Sequence, residues 1–184
     1  MRAIAWTVLL LLLVGAERRW GNRSAPVQVR ESARESDQVM ILSSVLALLA
    51  PILQTLVWPV RVTPLELGFG ATVCVWGIFV RVAAMKTLRG RYRLTPAEQP
   101  DLPSLVSDGC YGVVRHPGYA GLLLTFWGLA LIVGGWWASG WMLPMLLLLM
   151  ARVRIEEELL GAEFAAAHTA YRSAVRWRIV PHVY

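Results

Sequence analysis

Alternation between apolar runs and arginine-bearing gaps constrains this chain more than any other feature. Five runs stand out, spanning Ala3 to Ala16, Val39 to Trp58, Leu65 to Ala84, Tyr119 to Val133 and Trp136 to Met150. Hydrocarbon offers a backbone N–H or C=O no partner, so runs that enter a bilayer must satisfy their own polar groups as helices. The gaps then set direction. Arg18, Arg19, Arg23, Arg30 and Arg34 follow the first run, and Arg61 alone follows the second. Lys86, Arg89, Arg91, Arg93 and Arg115 follow the third, no basic residue lies at the Gly134-Gly135 joint, and Arg152, Arg154, Arg172, Arg176 and Arg178 follow the fifth. This basic-rich, basic-poor alternation puts the N-terminus outside and the C-terminus in the cytoplasm of an inner (cytoplasmic) membrane.

Composition agrees: 57% of the residues are hydrophobic, nine are tryptophan and the mean hydropathy is +0.52, well above a soluble domain. The net charge of +6 raises the question of nucleic acid, but charges segregated into the gaps between spans serve topology and anionic headgroups instead. Membrane lipids are therefore expected partners and nucleic acid is not. Cys74 and Cys110 form neither a disulfide framework nor a zinc-ligand spacing; His168 and His182 have no ligand-spaced neighbour, so no metal is expected.

The first run is short for a span of about 20 residues. Two readings stay open: extension through Trp20 with Arg18 and Arg19 snorkelling gives a span, whereas Val14-Gly15-Ala16 fits the end of a cleaved signal. Pro51 predicts a kink or a freed carbonyl in the second run, and Thr63-Pro64 reads as the cap and first turn of the third. Gly134-Gly135 predicts a tight antiparallel hairpin with Trp136, Trp137 and Trp141 as an interfacial belt. Beyond Arg152, Leu160, Phe164, Ala167 and Tyr171 form a helical stripe. The expected fold is all-α: a polytopic membrane helix bundle of about five transmembrane helices with a cytoplasmic C-terminal amphipathic helix, in one integral membrane domain.

A hairpin that leaves from His116 and returns at Arg152 brings its two ends to the same face of the bilayer. One end is the glycine-broken turn Gly109 to Gly121; the other carries Glu156, Glu157 and Glu158. Arg115 and His116 can donate to an anion, N–H groups near Gly118 add theirs at a helix N-terminus, and Glu156 or Glu157 can accept from an ammonium or from sugar hydroxyls. A plainer reading is equally open here: Arg115 and His116 meeting lipid phosphates, Tyr119 an interface anchor, Gly121 a close-packing position, and the glutamates a solvated face braced by Arg152 and Arg154.

Leu105-Val106-Ser107-Asp108-Gly109-Cys110-Tyr111, then Arg115-His116-Pro117-Gly118-Tyr119-Ala120-Gly121, then Arg152, Glu156-Glu157, Leu160, Phe164, Tyr171 and Val180-Pro181 resemble the isoprenylcysteine carboxyl methyltransferases and their bacterial relatives, which overlap with the phospholipid N-methyltransferases. Leu88 to Tyr92 resembles a further short motif of that family. The likeness covers Leu88 to Tyr184, which implies a methyltransferase-like catalytic region over 88–184 preceded by N-terminal transmembrane helices over 1–87. It implies S-adenosylmethionine as cofactor, with His116, Pro117, Tyr119 and Gly121 lining it and Glu156 and Glu157 holding its polar end. Arg115, Arg152 and Glu157 are the catalytic candidates, the two arginines orienting an acidic, lipophilic acceptor that enters from the bilayer. Carboxyl methylation is the first reading, and N- or S-methylation of a phospholipid or small molecule the second. Ala165 stands where a glycine usually follows the phenylalanine, and His168 where an aromatic is common. Outside the methyltransferases, sterol reductases that use NADPH are similar around Arg-His-Pro-x-Tyr, and a non-enzymatic membrane scaffold would account for the basic loops alone.

Overall fold

The computed structural model describes residues 2–20, 31–88 and 105–183; helices make up its regular structure, with no strand among the described residues. Helix α1 covers Arg2–Trp20, α2 Glu31–Val57, α3 Pro64–Thr87, α4 Pro117–Gly134 and α5 Met142–Ala174, with 3₁₀ turns at Gly109–Gly112 and Gly135–Trp141. Among the described residues, three stretches have the length and apolarity to cross a bilayer: Met40–Val57, Pro64–Thr87 and Pro117–Ala174, the last folded back on itself at the second 3₁₀ turn. Helix α1 is 19 residues long but carries Glu17, Arg18 and Arg19 at its end. Much of the first half of the gap after the third run, residues 89–104, lies outside the described residues, as does the Arg89 to Tyr92 part of the short motif.

Helix α3 begins where the sequence places it. The Thr63 hydroxyl accepts from the Glu66 N–H at 3.2 Å, the Glu66 carboxylate accepts from the Thr63 N–H at 2.7 Å, and Pro64 takes the first helical position, a reciprocal cap. The same carboxylate accepts from the Trp136 N–H at 3.2 Å, stapling the start of α3 to the far end of α4. There Trp141 donates to Gln54 at 2.7 Å, so α2, α3 and the hairpin are joined at this end.

Glycines make the α3–α4 seam. Gly70 and Gly77 on α3 face Gly121 and Gly128 on α4; a Cβ on Gly77 would lie 2.4 Å from the Thr125 nitrogen, and one on Gly128 2.5 Å from the Cys74 nitrogen. Lipid tails are as apolar as any side chain, so helices in a bilayer gain by close van der Waals contact rather than by leaving water. Bare backbone at these positions permits that contact. At the seam's other end the buried Arg81 donates to the Gly118 carbonyl at 2.8 Å and ion-pairs with Glu17 of α1. Arg81 therefore turns inward to a carboxylate instead of merely complementing the dipole at the end of α3.

Two expectations are corrected. The joint after Gly134 is longer than a two-glycine turn: Gly135 adopts φ 60°, the chain continues as 3₁₀ through Trp141, and α5 starts at Met142 rather than Trp136. The stripe Leu160, Phe164, Ala167 and Tyr171 holds only in part: Leu160 and Phe164 are half-buried and Tyr171 is buried, but Ala167 is exposed and His168 is buried in its place. Ala165 explains the change of phase. Its φ of 32° and ψ of −99° break α5 and re-aim the last turns. From Met142 to Phe164, ahead of that break, α5 runs about 34 Å, already more than the roughly 30 Å of hydrocarbon, so the turns beyond Ala165 have the length to leave the bilayer.

Gly128→Ala should lower thermal stability in detergent by about 1–3 kcal/mol, because the added methyl meets backbone, whereas Gly140→Ala, with open space around it, should change little. Ala165→Gly should raise stability by about 1 kcal/mol by relieving a positive φ that costs a Cβ-bearing residue.

Candidate active site

Pro117 opens α4, where its missing N–H costs nothing, and proline keeps the preceding residue out of the helical region. His116 accordingly sits at φ −126° and ψ 60°. The turn is held from behind by the C-terminal tail: the Arg115 N–H donates to the Trp177 carbonyl at 2.9 Å and the His116 N–H to the Arg178 carbonyl at 2.7 Å. Below them Tyr171 donates to the Tyr111 carbonyl at 2.7 Å, tying the last turns of α5 to the first 3₁₀ turn.

Glu157 is the hub. Its carboxylate accepts from Arg115 Nε at 2.7 Å and from Arg178 Nε at 3.0 Å, and lies 3.5 Å from His116 Nε2. Arg115 and Glu157 are each 7% exposed, so neither charge could be buried without the other. Arg115 also donates to the Val175 and Arg176 carbonyls at 2.7 and 2.8 Å. This guanidinium anchors the tail to α5, and little of its donor capacity faces the bilayer.

Successive helix positions diverge by about 100°, yet both Glu156 and Glu157 reach His116, because the imidazole lies between them. Glu156 Oε2 is 3.5 Å from Nδ1, and Glu158 is exposed. The His116 and Tyr119 rings stack with centroids 5.8 Å apart, and Tyr119 accepts from Arg152 Nε at 2.9 Å. Among the described residues, His116 Nε2 and Glu156 Oε2 are buried without a hydrogen-bond partner. Such atoms call for an explanation, a ligand being one. Burial works against a charged imidazole, but Glu156 and Glu157 outweigh it and hold the His116 pKa above its usual 6.5.

The structure thus brings Arg115, His116, Tyr119, Arg152, Glu156 and Glu157 together. Two other candidates sit apart from this polar cluster: Pro117 is buried in the first turn of α4, and Gly121 faces α3, where a Cβ would lie 2.6 Å from the Arg81 nitrogen. Sequence reasoning missed Arg178 and Arg81. The aromatic and basic tail gave a signal for the first, and a lone arginine within an apolar run gave one for the second. No cluster of three metal-ligating side chains occurs among the described residues.

The phospholipid methyltransferase family matches residues 65–167 of the chain, which encloses the α3–α4 seam, the turn and the glutamates. No curated protein sequence matches it. Among solved structures it is similar to the eukaryotic intramembrane Ras methyltransferase, isoprenylcysteine carboxyl methyltransferase, with a TM-score of 0.65 and 21% identity over 78% of this chain and 52% of that one. That likeness establishes a shared membrane helix bundle, and the chain spans about half the length of the protein it resembles.

Glu157→Gln should destabilise the protein by about 3–5 kcal/mol, the cost of leaving buried charge unpaired, while Glu158→Gln stays within about 0.5 kcal/mol. The raised His116 pKa contributes stability that is fully present below pH 6.5 and fades as pH rises through the folded value. A melting series from acid to alkaline pH should show that loss in the wild type and a flatter profile in His116→Gln.

Proposed function

The chain belongs to the phospholipid methyltransferase family, and from that premise we propose that it is an integral membrane methyltransferase that uses S-adenosylmethionine to methylate a lipophilic acceptor. The observation that carries this reading is a pair of buried atoms, His116 Nε2 and Glu156 Oε2, that make no hydrogen bond and have only ion-pair neighbours at 3.5 Å, beside Tyr119 and Arg152. They fit a zwitterionic cofactor that carries an ammonium, a carboxylate and ribose hydroxyls. Glu156 would accept from the ammonium or the ribose, His116 and Tyr119 would line the site, and Arg152 would meet a carboxylate. When bound, S-adenosylmethionine supplies an electrophilic methyl sulfonium.

The protein's own task is then placement and dryness. Glu157 holds the turn and tail in register, and the α3–α4 seam fixes the first turn of α4 through Arg81 and Gly118. A protonated amine or a thiol acceptor would need a base. The glutamates keep the proton on His116 to higher pH than usual, which favours an acceptor that arrives ionised. Carboxyl methylation of a lipophilic acid is therefore our first reading, and N- or S-methylation the second. Such an acceptor would reach the site between helices from the bilayer. In this reading residues 88–184 carry the chemistry, residues 1–87 brace it, and the site faces the cytoplasm of the inner membrane.

Labelled S-adenosylmethionine should be retained by the detergent-purified protein and bind at least about tenfold more weakly to Glu156→Gln and to His116→Ala, as expected for loss of a charged hydrogen bond. Unchanged binding in both variants, with melting behaviour showing them folded, would remove the basis of the proposal. Retention of NADPH instead would move the protein to the reductase class.

A further inference from the structure

Behind the Glu157 hub the tail borders an open, positively lined space. A cavity of about 490 Å³ lies between the end of α5 and the closing segment, lined by Arg115, Arg172, Arg176 and Arg178 together with Trp177. Thr169 and Ser173 complete the wall, but their hydroxyls donate to the Ala165 and Thr169 carbonyls at 3.1 and 3.0 Å, so recognition falls to the guanidinium groups. No carboxylate lines the cavity. Glu157 reaches Arg115 and Arg178 from the other side, while Arg172 and Arg176 are exposed at the cavity. Four guanidinium groups border one space; Arg115 is held by Glu157 and the tail carbonyls, and Arg172 and Arg176 are the pair exposed at it, which leaves the space positive. Like charges held this close repel, and an anion inside would relieve that repulsion.

We propose that this cavity is an anion site for a phosphate group, separate from the candidate methyl-transfer site. Guanidinium forks match phosphate oxygens in pairs, which a single carboxylate or chloride satisfies less fully. The cavity is larger than a phosphate, leaving room for what the phosphate is attached to. Its position points to the membrane surface: it lies where α5 emerges, and the tail beyond it exposes Val180 and Val183, side chains suited to the headgroup boundary. The ligand chemistry is thus a phosphate ester, either the headgroup of an anionic phospholipid or a soluble phosphate. The site stands on charge and shape alone, so it does not depend on the protein being a methyltransferase.

Calorimetric titration of the full-length, detergent-purified protein separates the sources, with short-chain phosphatidylglycerol, short-chain phosphatidylcholine and inorganic phosphate as probes. Phosphatidylglycerol binding without inorganic phosphate binding supports a lipid headgroup, and binding of inorganic phosphate supports a soluble ligand. In either case the exposed pair Arg172→Gln/Arg176→Gln should bind at least about tenfold more weakly. Arg18→Gln/Arg19→Gln, which removes the same charge at the end of α1, should bind like the wild type. The proposal is overturned if neither anion binds, if phosphatidylcholine binds as well as phosphatidylglycerol, if the Arg172/Arg176 variant binds like the wild type, or if the Arg18/Arg19 variant loses as much. Competition by S-adenosylmethionine would also overturn it, by making the cavity part of the donor site.

Discussion

One buried carboxylate organises the end of the bundle that carries the candidate site. Glu157 receives Arg115 from the turn before α4, Arg178 from the tail and the edge of His116. Two segments far apart in the chain, the turn and the tail, therefore depend on a single anion on α5. Taking such charges out of water is costly, and they stay buried because each finds partners of opposite sign. Rigidity follows, since no member can move without stranding the others. That is what a site needing fixed geometry requires, and it explains why a residue that touches no substrate in our reading is as consequential as one that does.

The glycine seam acts at the next level down. Because Gly77 and Gly128 let α3 and α4 meet backbone to backbone, Arg81 comes close enough to reach the Gly118 carbonyl and Glu17 together. Packing within the bilayer is thereby converted into placement of the His116 turn at its edge. Gly121 belongs to this seam. Its contribution to the site in this structure is to let α4 start where it does, a packing role that the sequence left open beside that of lining a cofactor.

Much of the fold was legible because lipid imposes a single rule on backbone polar groups and the arginines mark the gaps. Helices α1, α3 and α4 match their apolar runs to within a few residues at both ends, whereas α2 begins well upstream of its run, at Glu31, and α5 starts late, at Met142, and continues past its run to Ala174. The joint after Gly134 was misread because composition says that glycine turns the chain but not how many further residues remain 3₁₀. The buried stripe of α5 was misread for another reason: periodicity assumes an unbroken helix, and Ala165 breaks it. That alanine occupies the position where resemblance expects glycine, and its positive φ gives the expectation a physical basis.

From the residues alone came the helical membrane class, the alternating gaps, the cap at Thr63 and Glu66, and the meeting of the His116 turn with the glutamates, all of which follow from local chemistry and from hairpin connectivity. Only the tertiary structure decided that Glu156 and Glu157 both face the imidazole, that Arg115 is spent on the tail, and that Arg172, Arg176 and Arg178 surround a cavity with it. Those outcomes depend on the direction in which a side chain leaves its helix after a kink, and on where a closing tail comes to rest. Neither is written in any local pattern of residues, because both are set by the packing of segments distant in sequence.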